Sequence, residues 1–192
     1  MSSSLRGRPL GDRGNATLEF ALLALAGFLL LLAGTDLAWY LRSRLRLEQV
    51  SGSMANLVTG YQQLYAGDFP MLFQAAQQMA GTVAVTGQDG ATVITGIVNP
   101  AGRAVVAWRQ WTGNAGYVSA FGPVGGAPQN LPDHYALPAG SSVVAVEVFS
   151  AIHPWVLSEG LMGTIGAPVL RSAALYQPRT SLLSEITPGD RP

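Results

Sequence analysis

The stretch GNATLEFALLALAGFLLLLAGTDLAWYL, residues 14–41, decides how this chain of 192 residues is organised. Its apolar run starts directly after Glu19 and contains only Thr35 and Asp36 as clearly polar residues. At about 1.5 Å per residue, the run can cross a hydrocarbon core of about 30 Å. We therefore predict a single membrane-spanning helix over residues 15–41.

The two ends of this run are marked by different side chains. Trp39 and Tyr40 fall where an aromatic interface belt would lie, so Asp36 is interpreted as interfacial. Glu19 has a simple explanation, as the point where a signal anchor leaves the cytoplasmic interface of the membrane. An acidic side chain costs little free energy at that interface. Arginines flank both ends equally, so charge alone does not orient the helix: Arg6, Arg8, Arg13 before it and Arg42, Arg44, Arg46 after it.

The helix is predicted to continue past the membrane as an amphipathic segment over residues 42–66. Apolar residues recur there at spacings of three and four, as on one face of a helix. Gly52 and Gly60 weaken the helix without ending it. A continuous helix to about Tyr65 is preferred over an anchor followed by a separate core helix. The stripe consists of Leu47, Val50, Met54, Leu57, Val58, Tyr61, Leu64 and Tyr65.

The remainder predicts an α+β head over residues 67–178, in which the long helix packs on a small antiparallel sheet as two layers. A short helix is expected at 70–80, because Pro70 would sit near its N-terminus. Valine-rich and aromatic runs predict strands at 81–86, 91–99, 103–111, 141–150 and 169–177. Turn signals would join the first three strands as a meander.

Two segments are expected to lack regular structure. Residues 113–140 are crowded with Gly, Pro, Asn and Ser, and are either a functional surface loop or a mobile one. Residues 179–192 form a polar, proline-flanked tail that we expect to be loosely ordered and flexible.

The amino-acid composition argues against several classes of function. Acids and bases balance at 11 each, so there is no basic footprint for nucleic acid. With no cysteine, the chain has neither disulfides nor thiolate metal ligands. His134 and His153 stand at no recognised metal-ligand spacing, and Asp133–His134 beside a serine at 141–142 is better explained as loop surface than as a triad. We expect no enzyme activity, no cofactor and no metal.

Other polar and aromatic positions have competing interpretations. Glu147 lies in a valine-rich strand and is expected to face solvent, in preference to a buried ion pair with an arginine such as Arg171. Trp108 and Trp111 could form a binding surface, for instance for carbohydrate, but core packing is favoured.

The chain resembles the TadE-like minor pilins (pseudopilins) of the tight-adherence (Tad, or Flp) type IVb pilus system. Four stretches of sequence carry the resemblance, in the same order and spacing as in that family. An early-helix proline that many relatives have is missing here, and Asn15 replaces the more usual small residue. The four stretches are GNATLEFAL at 14–22, EQVSGSMANLV at 48–58, VEVF at 146–149 and LYQPR at 175–179.

The resemblance implies a type IV pilin-like fold and a mechanism of assembly. Residues 1–14 would be a prepilin leader, cut after Gly14 by a prepilin peptidase so that Asn15 begins the mature chain. Glu19 would pair with the amino terminus of a neighbouring subunit. The implied partners are that peptidase, major and minor pilins, the inner-membrane assembly platform and the lipid bilayer.

The implied location is the bacterial inner membrane, crossed once, with the head in the periplasm; the chain could also enter an extracellular pilus. As a minor pilin it would initiate, cap or help assemble the filament. The alternative is a signal-anchored periplasmic envelope domain that binds a ligand or surface through residues 113–140 and never joins a filament. The sequence does not separate E-like from F-like minor pilins.

Overall fold

The computed structural model describes residues 11–132, 135–153, 169–179 and 182–191. Within these ranges the chain forms a long helix and an antiparallel four-stranded sheet, with a short second helix and a small two-stranded ladder beside them. This confirms the predicted α+β layout of a long apolar N-terminal helix and a small sheet.

The first helix, α1, spans Gly11–Thr59 as one uninterrupted element of 49 residues. The prediction that it reaches about Tyr65 is wrong by one to two turns. At its end the Thr59 hydroxyl donates to the Ala55 carbonyl at 2.8 Å, and the Gly60 N–H turns back to Leu57 O at 3.2 Å. The last turn is thereby tightened, and the chain leaves the helix at the glycine that we expected it to pass through.

After α1, the described chain forms a second helix, the four strands of the main sheet and two short strands. The short strand β1 (Leu64–Tyr65) is followed by the helix α2 (Asp68–Ala80). The four sheet strands are β2 (Gly90–Asn99), β3 (Val105–Gly113), β4 (Ser141–Ala151) and β5 (Val169–Tyr176). Their spatial order is β3-β2-β4-β5, with every neighbouring pair antiparallel.

The predicted strand at 81–86 does not form, so the expected three-stranded meander reduces to the β2–β3 hairpin. The backbone there is bonded by side chains instead of by a neighbouring strand. The Gln77 amide donates to Val83 O at 3.1 Å and accepts from Val85 N at 3.1 Å, while the Thr92 hydroxyl donates to Val85 O at 2.9 Å. Local side-chain bonds of this kind compete with a sheet ladder.

One face of the sheet packs on the helices. Apolar residues of α1 and α2 meet the valines of β4 in the main core, so the amphipathic half of α1 is a structural part of the head. The central contributors, all buried, are Leu47, Val50, Met54, Val58, Leu72, Val144, Val146 and Val148.

The opposite face of the sheet is covered by the segment that follows β3. Phe121 and Leu137 pack on the β2 and β4 residues Ile97 and Val143. Nearby, the ring of Tyr117 stacks on Phe149 with centroids 5.5 Å apart. The described part of residues 113–140 is therefore a third layer, and the head is not the two-layer structure that we predicted.

The C-terminal segment also packs on the head. Residues Ile186–Thr187 form β6, which pairs in parallel with β1. Leu183 is buried, and its carbonyl accepts a hydrogen bond from Trp108 Nε1 at 2.8 Å. The expectation of a loosely ordered, flexible tail therefore does not hold for residues 182–191, because an apolar side chain and a buried indole fix them in place.

Candidate functional site

The first half of α1 presents apolar side chains outward in every direction. Phe20, Leu30 and Leu31 are 72%, 74% and 72% exposed, respectively. Within the described chain, one helix is long and apolar enough to span a membrane, and it is this one. A helix apolar all round and covered by no other part of the described chain is suited to lipid or to packing against other apolar helices.

The predicted processing and assembly residues lie at the start of this helix. Gly14 and Asn15 fall within the first two turns of α1, and Glu19 follows about one turn later. Glu19 is exposed between Leu18 and Phe20, and it has no ion-pair partner in the part of the chain that the structure describes. The geometry therefore places one carboxylate on a mainly apolar helix surface.

The helix changes character at Asp36. That residue is 7% exposed, and it opens the buried stripe that continues through Ser43 and Leu47, whereas Thr35 and Leu37 beside it are exposed. The exposed stretch from Ala16 to Thr35 covers about 30 Å at helical rise, close to the thickness of a hydrocarbon core. The boundary between the apolar half of the helix and the head, at Asp36, therefore lies where a membrane surface would lie.

A second polar centre lies inside the head, around Glu147 of β4. This carboxylate has no exposed surface. Arg171 of β5 donates to it from both Nε and Nη2, at 3.0 and 2.7 Å. The expectation that Glu147 faces solvent is wrong: it forms the ion pair with Arg171 that was considered as the alternative, with the carboxylate buried and the Arg171 side chain 40% exposed.

The segment that covers the sheet, at Ser119 and Ala120, donates the remaining hydrogen bonds to Glu147. The Ala120 N–H donates to Glu147 Oε1 at 3.0 Å, and the Ser119 hydroxyl donates to Oε2. A buried carboxylate with several donors is stabilised as a charge, but losing one partner would be costly. Glu147 therefore ties the covering segment to β4 and β5.

Arg109 of β3 is held on the same face of the sheet. Its guanidinium donates from Nε to the Thr95 hydroxyl at 3.1 Å and from Nη2 to Gly122 O at 2.5 Å. Burial lowers the pKa of Arg109, and the nearby charge of Glu147 opposes that shift. Arg109 thus anchors a second point of the covering segment, on the same face of the sheet as Glu147.

The histidines contribute no recognisable catalytic or metal centre in the described residues. His153 Nε2 lies 3.8 Å from Asp89, with both side chains largely exposed. Asp133 and His134 lie outside the described residues. No group of three or more His, Cys, Asp or Glu side chains that could hold a metal is present among the residues described.

The two tryptophans of β3 have different environments. Trp108 is in the main core, edge-on to Phe69 with ring centroids 6.0 Å apart, as the core interpretation predicts. Trp111 is 57% exposed and borders a groove between α2 and β3. The pair does not form one shared binding surface.

The network around Glu147 was missed, although the sequence contains a signal for it. Val144, Ala145, Val146, Val148 and Phe149 are apolar at both odd and even positions. A strand without alternation is typical of one buried on both faces, so an acid within it should be expected to be buried. Ser119 and Ala120 carried no such signal, because their role depends on where the long segment folds.

Comparison with protein-family models, with curated proteins and with solved structures finds no match for this chain.

Proposed function

We propose that this chain is a minor pilin, or pseudopilin, of a Tad-type IVb pilus. In this proposal the chain is cut after Gly14, and Glu19 then assists the packing of subunits in the membrane. The observation that carries the proposal is the single helix Gly11–Thr59, whose first half is exposed and apolar and whose second half belongs to the core of the head. One rigid element would then join the membrane to the head.

The chemistry of Glu19 supports the assembly role. Cutting after Gly14 would create an ammonium on Asn15, four residues from Glu19 in the chain. An ionised carboxylate is costly in hydrocarbon, and pairing with an ammonium recovers part of that cost. Since Glu19 has no ion-pair partner among the described residues, pairing with the amino terminus of a neighbouring subunit would favour association over diffusion of single chains.

The surface of the exposed half also supports close packing of helices. A Cβ added at Gly27 or Gly34 would meet no atom within 4 Å, so the backbone at both glycines is accessible from outside. Small residues on apolar helices allow neighbouring backbones to approach closely. In this proposal, the partners of this surface are the helices of other pilins.

The proposed location follows from the same arrangement. The helix would cross the inner membrane once, with the leader in the cytoplasm and the head in the periplasm. The partners would be a prepilin peptidase, major and minor pilins and the inner-membrane assembly platform, and no catalytic activity is proposed. The chain would initiate or cap the filament, or adjust its assembly.

The test is the intact mass and N-terminal sequence of the chain isolated from membranes of cells with and without the prepilin peptidase. The proposal predicts a mature chain that begins at Asn15 only when the peptidase is present. The variant Gly14→Ala should remain uncut, while Gly11→Ala, three residues earlier in the leader, should be processed normally. A full-length chain in both strains would instead support a signal-anchored envelope domain.

A further inference from the structure

A groove of about 730 Å³ lies where α1 meets the head, on the side of the molecule that faces the apolar half of the helix. Its wall on α1 is formed by residues spaced as on one helix face, and its far wall is the turn that ends α2. Apolar residues form part of its lining, and the other lining residues include Trp39, Arg42, Arg46, Gln49, Gly81 and Thr82.

The groove is positively charged. Arg42 and Arg46 line it, both are exposed, and neither forms an ion pair within the described residues. No acidic residue lies among those that line the groove in the described structure. Arg46 Nη2 lies 3.8 Å from the position that a Cβ on Gly81 would take, which places its guanidinium beside the C-terminal turn of α2.

The groove begins at the depth of the headgroup layer of a bilayer. Counting about 30 Å of hydrocarbon from Ala16, at about 1.5 Å per residue, brings the membrane surface to Asp36, with Trp39 about 5 Å beyond it. Arg42 and Arg46 then start from helix positions about 9 and 15 Å beyond that surface. Helical side chains lean toward the N-terminus, so both guanidinium groups would reach back toward the membrane.

From this charge and depth, we infer that the groove binds the phosphate of an acidic phospholipid headgroup. Guanidinium groups bind phosphate oxygens with directed hydrogen bonds, and an indole at the interface covers the upper part of the acyl chains. The bound lipid would fix the tilt of the head over the bilayer. This inference depends on insertion of α1 in a membrane and is independent of cleavage after Gly14.

Arg44 provides a matched control for the two groove arginines. It lies at the same depth on α1, but it forms an exposed pair with Glu48, at 3.4 Å, and does not line the groove. Arg44→Gln therefore removes the same charge from another helix face. If only the general basic character of residues 42–46 attracts lipid, each charge removed should weaken binding equally.

The experiment uses the full chain in a non-ionic detergent, mixed with equal amounts of phosphatidylglycerol and phosphatidylcholine, with bound lipid counted by native mass spectrometry. Near a surface each basic residue strengthens the binding of an anionic lipid about fivefold, so two arginines predict a preference for phosphatidylglycerol of about thirtyfold. The double variant Arg42→Gln/Arg46→Gln should bind both lipids equally, and Arg44→Gln should keep the preference. Unfolding curves of all variants should coincide, because these side chains are exposed.

Three results would overturn the inference. One is equal binding of the two lipids by the wild-type chain. Another is a loss of preference in Arg44→Gln as large as the loss per arginine in the double variant. The last is displacement of phosphatidylglycerol by an equal concentration of inorganic phosphate, which would assign the groove to a soluble anion instead of a lipid.

Discussion

Glu19 and Glu147 are both acidic residues within apolar sequence, but Glu19 is exposed and Glu147 is buried. Glu147 has no exposed surface and is held by Arg171, by the Ser119 hydroxyl and by the Ala120 N–H. Glu19 is exposed on the apolar half of α1, and within the described chain it has no ion-pair partner.

The difference indicates a structural role for Glu147 and, in the proposed function, an intermolecular role for Glu19. A buried charge whose partners belong to the same chain stabilises one arrangement of that chain. A charge on a membrane-spanning segment marks a functional position whose partner needs to be sought, and the proposed assembly places that partner on another subunit. The comparison predicts that changes at Glu147 alter folding, whereas changes at Glu19 alter assembly alone.

The largest effect on stability is expected from breaking the pair between Glu147 and Arg171. Arg171→Leu would leave the buried Glu147 charge without its main partner, which costs about 3 kcal/mol of unfolding free energy, the lower end of the range for buried pairs, because Arg171 is 40% exposed and screened by solvent. Denaturant unfolding of the full chain in detergent measures this loss. Arg44→Leu, at the exposed pair with Glu48, should cost less than about 1 kcal/mol.

The double variant Glu147→Leu/Arg171→Leu sharpens the same test. With both charges removed, it should recover part of the stability lost in Arg171→Leu. Equal stability of Arg171→Leu and the wild-type chain would show that the pair of Glu147 with Arg171 does not stabilise the head.

An effect of similar size separates the two halves of α1. Met54 is fully buried in the main core, so Met54→Ala should lower the unfolding free energy of the head by about 2–5 kcal/mol. Leu30, at 74% exposure in the apolar half, gives the matched change Leu30→Ala, which should leave the unfolding of the head unaltered. Comparable losses in both variants would contradict the division of the helix at Asp36.

A smaller effect is expected at the C-terminal segment, residues 182–191, which a hydrogen bond from Trp108 holds to the head. Trp108→Phe keeps an aromatic ring in the core but removes the hydrogen bond from Nε1 to the buried Leu183 carbonyl. The loss should be about 1–3 kcal/mol, because the carbonyl is left without that donor. Limited proteolysis should then cut residues 182–191 faster than in the wild-type chain, whereas Trp111→Phe should change neither property.

The parts of this fold that were predicted from sequence are those that depend on local pattern. The apolar run and the stripe from Leu47 predict the long helix, and the valine-rich runs at 91–99 and 141–150 match β2 and β4 to within a residue at each end. The end of α1 was misplaced, because the Thr59 hydroxyl and Gly60 act together to close the last turn.

The parts that were not predicted depend on contacts between distant segments. The burial of Glu147 requires residues 119–120 to fold back over the sheet, and no local pattern fixes that path. The predicted strand at 81–86 does not form, because the side chains of Gln77 and Thr92 bond to the backbone there. The tail is fixed by Trp108, which lies 75 residues before its partner Leu183. The candidate site at Gly14 and Glu19 came from a resemblance and stays a prediction.

The most direct test of the proposed function is filament formation by cells that carry Glu19→Ala, with Glu48→Ala as the control for an exposed acid on the same helix. Filaments are sheared from the cells and counted, and the mass and the amount of the chain in the membrane are measured in parallel. The account predicts that Glu19→Ala is processed after Gly14 and accumulates in the membrane as a folded chain. It should be missing from the filament fraction, with filament number reduced, while Glu48→Ala resembles wild type. Normal filament number, with Glu19→Ala incorporated at the wild-type level, would contradict the assembly role of this carboxylate.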